Sequence, residues 1–193
     1  MKYKALLVDP PWSFKVYSDA GKDRSAEQHY KTMSLGDIAR LNVPALCDDD
    51  CVLFLWAIDP LLNRAFDLMA AWEFEYKTVA FYWVKQNLKS EGFFTGLGYW
   101  TRANCEQVLL GTRGKPKRLA KDVKRLIVAP RREHSRKPDE VAASIERLVE
   151  GPYLEMFARE RRPGWDVFGN ETDKFTKLDC ATTNPVIPRF NTP

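Results

Sequence analysis

Eight consecutive apolar residues, Cys51-Val52-Leu53-Phe54-Leu55-Trp56-Ala57-Ile58, set the strongest limit on how this chain folds. The run is far below the ~20 residues of a membrane span. It also lacks the alternation of a strand with one wet face. Such a strand is stable only when both faces of its sheet are covered, as in α/β proteins with helices on either side of a mainly parallel sheet.

The rest of the chain agrees with that expectation. Residues 4–8 read as a buried strand that stops at Asp9-Pro10-Pro11. Ser34 with Asp37 resembles a capping box opening a short helix through Leu41. Pro60 suits a first helical position, and Leu61, Leu62, Ala65, Phe66, Leu68, Met69 and Trp72 give a helical stripe. Strands are predicted over residues 78–84, 106–110 and 125–128. A helix starts at Lys137-Pro138-Asp139-Glu140, and its face is Val141, Ile145 and Leu148. The last strands are predicted at 154–157 and 166–168. Residues 13–28 and 86–104 fit no element. Loops of that length inside a compact domain are usually functional or mobile, and both would lie at the carboxyl ends of strands, where open α/β sheets bind ligands. Residues 1–171 read as one domain and 172–193 as a loosely held tail.

The chain has 193 residues, one domain's worth. Its N-terminus turns acidic at Asp9 too early for a signal peptide, so a cytoplasmic protein without a membrane partner is expected. Cys47, Cys51, Cys105 and Cys180 fit no zinc spacing, and no metal is expected. Cys51 and Cys105 each open an apolar run and read as small core residues. The net charge of +4 is unevenly spread. Residues 113–137 hold eleven basic side chains against Asp122 and Glu133, or +9, so the remainder carries −5. A patch of that density suits a phosphate backbone; the alternative is a solvated basic loop. Lys117, Arg118 and Lys121 are its candidate nucleic-acid contacts.

Asp9-Pro10-Pro11-Trp12 carries the candidate chemistry. An aromatic amine such as adenine's N6 is a poor nucleophile, because its lone pair is delocalised into the ring. A carboxylate and a fixed carbonyl can each accept one N–H, which pulls the nitrogen toward tetrahedral geometry and frees the lone pair. Asp9 would supply the first acceptor and the Pro10 carbonyl the second, its direction fixed by proline rigidity. Trp12 would offer a face for stacking an extruded base. The competing reading is a plain strand-ending turn with a packed tryptophan.

Further motifs follow in order: Tyr30-Lys31-Thr32-Met33, Leu41-Asn42-Val43-Pro44, Leu53-Phe54-Leu55-Trp56, Trp83-Val84-Lys85, His134-Ser135-Arg136-Lys137-Pro138-Asp139-Glu140, Glu155-Met156-Phe157-Ala158-Arg159 and Gly169-Asn170-Glu171. With the Asp9 motif, this set resembles the adenine-N6 methyltransferase family that contains the catalytic subunit of the eukaryotic mRNA adenosine methyltransferase, with many bacterial and phage members.

The resemblance implies a Rossmann-like fold that depends on S-adenosylmethionine, in permuted order, with the catalytic turn first and the cofactor half last. It assigns catalysis to Asp9, Pro10, Pro11 and Trp12. It implies cofactor contacts from Asp9, from Lys137 to the carboxylate, from Asn170 and Glu171 to the ribose, and from Arg159. Tyr30, Trp83 and Lys85 would line the target-base pocket. Family members often have glutamine where Glu171 stands. A His-Asn pair found after the arginine in some members is replaced by Glu160-Arg161-Arg162. The expected substrate is DNA, with RNA adenosine as the alternative, acted on by a monomer or homodimer that is nucleoid-associated while acting. A catalytically silent scaffold and an enzyme acting on cytosine's amine are the rival readings.

Overall fold

The computed structural model describes residues 1–13, 32–98, 100–133 and 136–175. Seven strands form one sheet: β1 (Tyr3–Val8), β2 (Cys47–Ala57), β3 (Glu75–Gln86), β4 (Cys105–Arg113), β5 (Leu126–Pro130), β6 (Tyr153–Met156) and β7 (Trp165–Phe168). Their spatial order is β5-β3-β4-β2-β1-β6-β7. β1 runs parallel to β2 and β6, β6 to β7, and β3 to β5. β4 alone is antiparallel, wedged between β2 and β3. The last two strands in sequence thus lie beside the first, which is the expected permuted arrangement of a mainly parallel sheet.

Helices cover both faces. On one side α1 (Leu35–Ala39) and α2 (Leu62–Ala71) bury Ile38, Ala65, Leu68 and Met69 against Leu6, Val8, Leu53 and Leu55. On the other side α3 (Asp139–Leu148) buries Val141, Ala142 and Ile145 against Ala5, Leu7, Val52 and Phe54. Alternate residues of β1 and β2 serve opposite layers, which is why both strands are apolar without a break. α1 starts as its capping signal predicts, with Asp37 N donating to Ser34 Oγ at 3.1 Å. Ahead of α2, Pro60 lies in a 3-10 turn, Asp59–Leu61.

Two expectations change. β2 and β3 begin earlier than their apolar cores suggest, because Cys47 still pairs with Tyr3 and Glu75 with Thr112 at the sheet's lower rim. Cys105, read as core, is exposed, because β4 starts at the open upper edge rather than under a helix; Cys47 and Cys51 are buried. No helix among the described residues is long and apolar enough to cross a membrane.

Candidate active site

The six parallel strands deliver their carboxyl ends to one edge, and antiparallel β4 begins there. Asp9 after β1, Lys85 near the end of β3, Glu106 at the start of β4, Phe157 after β6 and Gly169 after β7 therefore converge, although up to 160 residues separate them in sequence (Asp9 to Gly169). This is the edge at which open α/β sheets hold ligands.

The Asp9 turn is tightly organised. Asp9 N donates to Met156 O of neighbouring β6 at 3.4 Å, Trp12 N to Pro10 O at 2.8 Å, and Met33 N to Pro11 O at 3.0 Å. Trp12 is only 5% exposed, and its Nε1 donates to Trp56 O at 3.2 Å. Its ring lies inside the core rather than on the surface where a stacked base would rest, so it anchors the turn to β2.

An ionic chain runs outward from Asp9. Lys137 Nζ lies 2.9 Å from Asp9 Oδ2 and 3.3 Å from Glu106 Oε2, and Lys85 Nζ lies 2.5 Å from Glu106 Oε1. The two ammonium groups sit over buried indoles, Lys137 over Trp56 at 5.0 Å and Lys85 over Trp83 at 5.1 Å. Burial alone would raise the Glu106 carboxyl, but Lys137 and Lys85 overcome it and hold the group down at about 2. Trp83 is a floor beneath this chain: it is buried, and its Nε1 donates to Ala129 O at 3.0 Å.

On the other side of Asp9 lie the ends of β6 and β7. A Cβ on Gly169 would meet Ala158 O at 2.8 Å and Ala158 N at 3.0 Å, so only glycine lets these strand ends close. Ala158 N donates to Phe168 O at 3.1 Å across the gap. Arg159 Nε is 3.9 Å from Glu171 Oε2, and Asn170 stands between Gly169 and Glu171. Arg162 Nε pairs with Glu155 Oε2 at 2.9 Å beneath them. Burial pushes the Glu155 carboxyl up; Arg162 opposes this, and the charges of Glu160 and Asp9 add to it. Residues 172–175, the described part of the expected tail, are tied to this region: Arg161 Nε contacts Asp173 Oδ1 at 2.7 Å, and Phe175 N donates to Arg159 O at 3.0 Å.

The edge thus gathers Asp9, Pro10, Pro11, Lys85, Lys137, Arg159, Asn170 and Glu171. Tyr30, His134 and Ser135 lie outside the described residues. Lys117, Arg118 and Lys121 are elsewhere. β4 ends at the lower rim, where Lys115 N donates to Asp50 Oδ1 at 2.7 Å, and Leu119 N donates to Leu148 O at the far end of α3. With ten residues, α3 puts about 15 Å between that end and Lys137. The basic segment is therefore two patches, one at each rim. Glu106, Glu155 and Arg162 carry no site role in the sequence patterns, although Glu155 opens one of the motifs and Arg162 follows it. Each is a charged residue on or beside a short strand, with nothing in its local pattern to announce a buried partner far along the chain.

The fold and the placement of these side chains define a Rossmann-like α/β protein built to hold a ligand along the carboxyl edge of its sheet. Residues 3–171 match the MT-A70 family. The chain is 32% identical to the Type II methyltransferase M.MunI of Mycoplasma sp, over 96% of this chain and 84% of that protein. It is 32% identical to the human N(6)-adenosine-methyltransferase catalytic subunit METTL3, over 92% of this chain but 30% of METTL3. It is 33% identical to the Drosophila melanogaster N(6)-adenosine-methyltransferase MT-A70-like protein, over 92% of this chain and 28% of that one. The chain belongs to the MT-A70 family, whose members are S-adenosylmethionine-dependent methyltransferases. It spans less than a third of the length of these two animal relatives.

The residues present fit that cofactor. A cation, Lys137, stands beside Asp9 for a carboxylate, and Asn170 and Glu171 offer hydroxyl partners at the end of β7.

Proposed function

We propose that this chain transfers a methyl group to the exocyclic N6 of adenine in DNA. The observation that carries the reading is Asp9, a carboxylate presented on a rigid Pro-Pro turn where the central strand ends, with a lysine at 2.9 Å. Lys137 occupies Oδ2 and leaves Oδ1 to accept one amino hydrogen. The Pro10 carbonyl takes the Trp12 N–H with one lone pair and keeps the second for the other amino hydrogen. Held at both hydrogens, the nitrogen turns its lone pair out of the ring plane and toward the donor. S-adenosylmethionine supplies the methyl group from its sulfonium. The nitrogen would gain the methyl carbon as that carbon's bond to sulfur breaks, with S-adenosylhomocysteine as the leaving group, and would shed one proton, which the Asp9 carboxylate is placed to hold. Catalysis rests on orientation and fixed dipoles rather than on a covalent enzyme intermediate.

Lys137 would meet the cofactor carboxylate, Asn170 and Glu171 the ribose, with Arg159 bracing Glu171. DNA is favoured because the chain matches a Type II methyltransferase along most of that protein, but the animal N(6)-adenosine-methyltransferases along under a third. The test is transfer from labelled S-adenosylmethionine to matched DNA and RNA oligonucleotides, followed by mass analysis of the nucleosides. N6-methyldeoxyadenosine is expected. Methylation of RNA alone would reverse the substrate, N4-methylcytosine would reverse the base, and cofactor binding without transfer would make the chain a scaffold.

A further inference from the structure

We infer that the loop between β3 and β4, described over residues 87–98 and 100–104, is a base-stacking wedge, with Trp100 entering a DNA duplex beside the target adenine; the inference rests on the function proposed above. The loop joins β3 to β4, so it springs from the two strands that carry Lys85 and Glu106. Those residues connect to Asp9 through Lys137. Whatever the loop touches is therefore continuous with the catalytic edge.

The loop is built to stand out. Phe94 N donates to Lys85 O at 2.8 Å, and Gly96 N to Ala103 O at 2.7 Å. Asn104 Nδ2 clamps Lys85 O at 3.0 Å and also bonds Phe94 O. Arg131 packs on the Phe94 ring at 4.4 Å. A side chain at Gly98 would strike Thr101 O and come within 2.9 Å of Ala103 N, so the backbone doubles back tightly. Around the packed Phe94, the loop's other large apolar residues that are described lie exposed. Leu88, Phe93 and Leu97 are exposed, and Trp100 is 105% exposed with φ at 61°. A left-handed backbone is uncommon for an aromatic residue and marks a position held for a purpose.

Four large apolar side chains exposed on one framed loop form a patch of the kind that meets a partner. Lys89 and Arg102 on the loop and Arg131 at its foot outnumber Glu91, so the surface is aromatic and cationic together. That is the composition of a nucleic-acid stacking platform. The chemistry at Asp9 also demands it. A paired adenine must leave its stack to reach the turn, and its neighbours then expose apolar faces that an indole can cover.

The test uses the full chain with Trp100→Ala and Trp100→Phe, on a duplex with the target adenine paired, the same duplex with it mismatched, and the single strand. Base extrusion is read by 2-aminopurine fluorescence at the target position, and methyl transfer by kcat/KM. Trp100→Ala should lose roughly ten- to a hundredfold in kcat/KM on the paired duplex, as loss of one stacking contact implies. It should also lose the extrusion signal, while the mismatch and single strand hold near wild type and Trp100→Phe recovers most of the loss. An equal loss on all three substrates, or none on any, overturns the wedge. A fall in sedimentation mass from dimer to monomer would assign the loop to contact between copies and overturn it too. If wild type extrudes the base but transfers no methyl, the proposed function fails and the wedge stands. If it neither extrudes nor methylates, both fail.

Discussion

Asp9 and Trp12 sit three positions apart in one motif, yet the structure divides their work. Asp9 is on a strand-end turn with a partly exposed carboxylate, while Trp12 is buried and bonded to Trp56. Asp9→Ala should lower methyl transfer by about 10³-fold, the scale of removing a group aimed at the transition state, and leave the urea midpoint close to wild type. Trp12→Ala should cost about 3–5 kcal/mol of stability, as large-to-small core changes do, seen as a large drop in that midpoint. Urea melts of both variants beside their turnover would reveal any reversal of this pattern. The sequence motif named both residues but could not separate them, because burial of the indole depends on β2, far along the chain.

Glu106 makes a pH prediction at the same scale. Its carboxyl titrates at about 2 in the folded protein against an ordinary 4.5. A depressed acid contributes stability that is full above its unfolded pKa and fades as pH falls toward the folded one. Wild type and Glu106→Gln should therefore differ most in denaturant midpoint at neutral pH, and the gap should close as pH drops from 4.5 toward 2. A gap that stays constant across that range would mean the two lysines do not hold this carboxylate.

Among elements, α3 is the ruler that separates the basic patches. Its first turn adjoins Lys137 and Arg132, and its last adjoins Leu119 and Asp122. A count along the sequence merges these patches, because charge density carries no information about which rim a loop occupies. Antiparallel β4 sends the chain down to the lower rim and β5 brings it back. Neutralising Lys117, Arg118 and Lys121 together should leave DNA affinity and its salt slope nearly unchanged. Neutralising Lys89, Arg102 and Arg131 should weaken binding and flatten the slope by up to about three phosphate equivalents. Titrations by fluorescence anisotropy at several salt concentrations would decide. A flatter slope from the first set alone would move the DNA track to the lower rim.

For the whole molecule, the question is how a site is assembled from a chain that delivers its catalytic turn first and its cofactor strands last. The apolar run of β2, the paired helices and the parallel character were legible, since each follows from local periodicity and two-sided burial. The reversal at β4 was not, because an antiparallel strand with both faces covered has the same apolar pattern as a parallel one. The convergence of Asp9, Glu155 and Gly169 depends on β6 docking beside β1, which only the resemblance anticipated. Ligand linkage tests this assembly directly. A ligand at 100 times its Kd stabilises the fold by about 2.7 kcal/mol, and hydrogen exchange shows where. S-adenosylhomocysteine, the product form, should slow exchange at residues 9–12, 156–159 and 169–171 together, and leave residues 114–125 untouched. Asn170→Ala should shrink the protection in all three upper-edge segments at a fixed ligand concentration, because they share one ligand. Protection confined to any single segment would show that the ends of β1, β6 and β7 do not form one site.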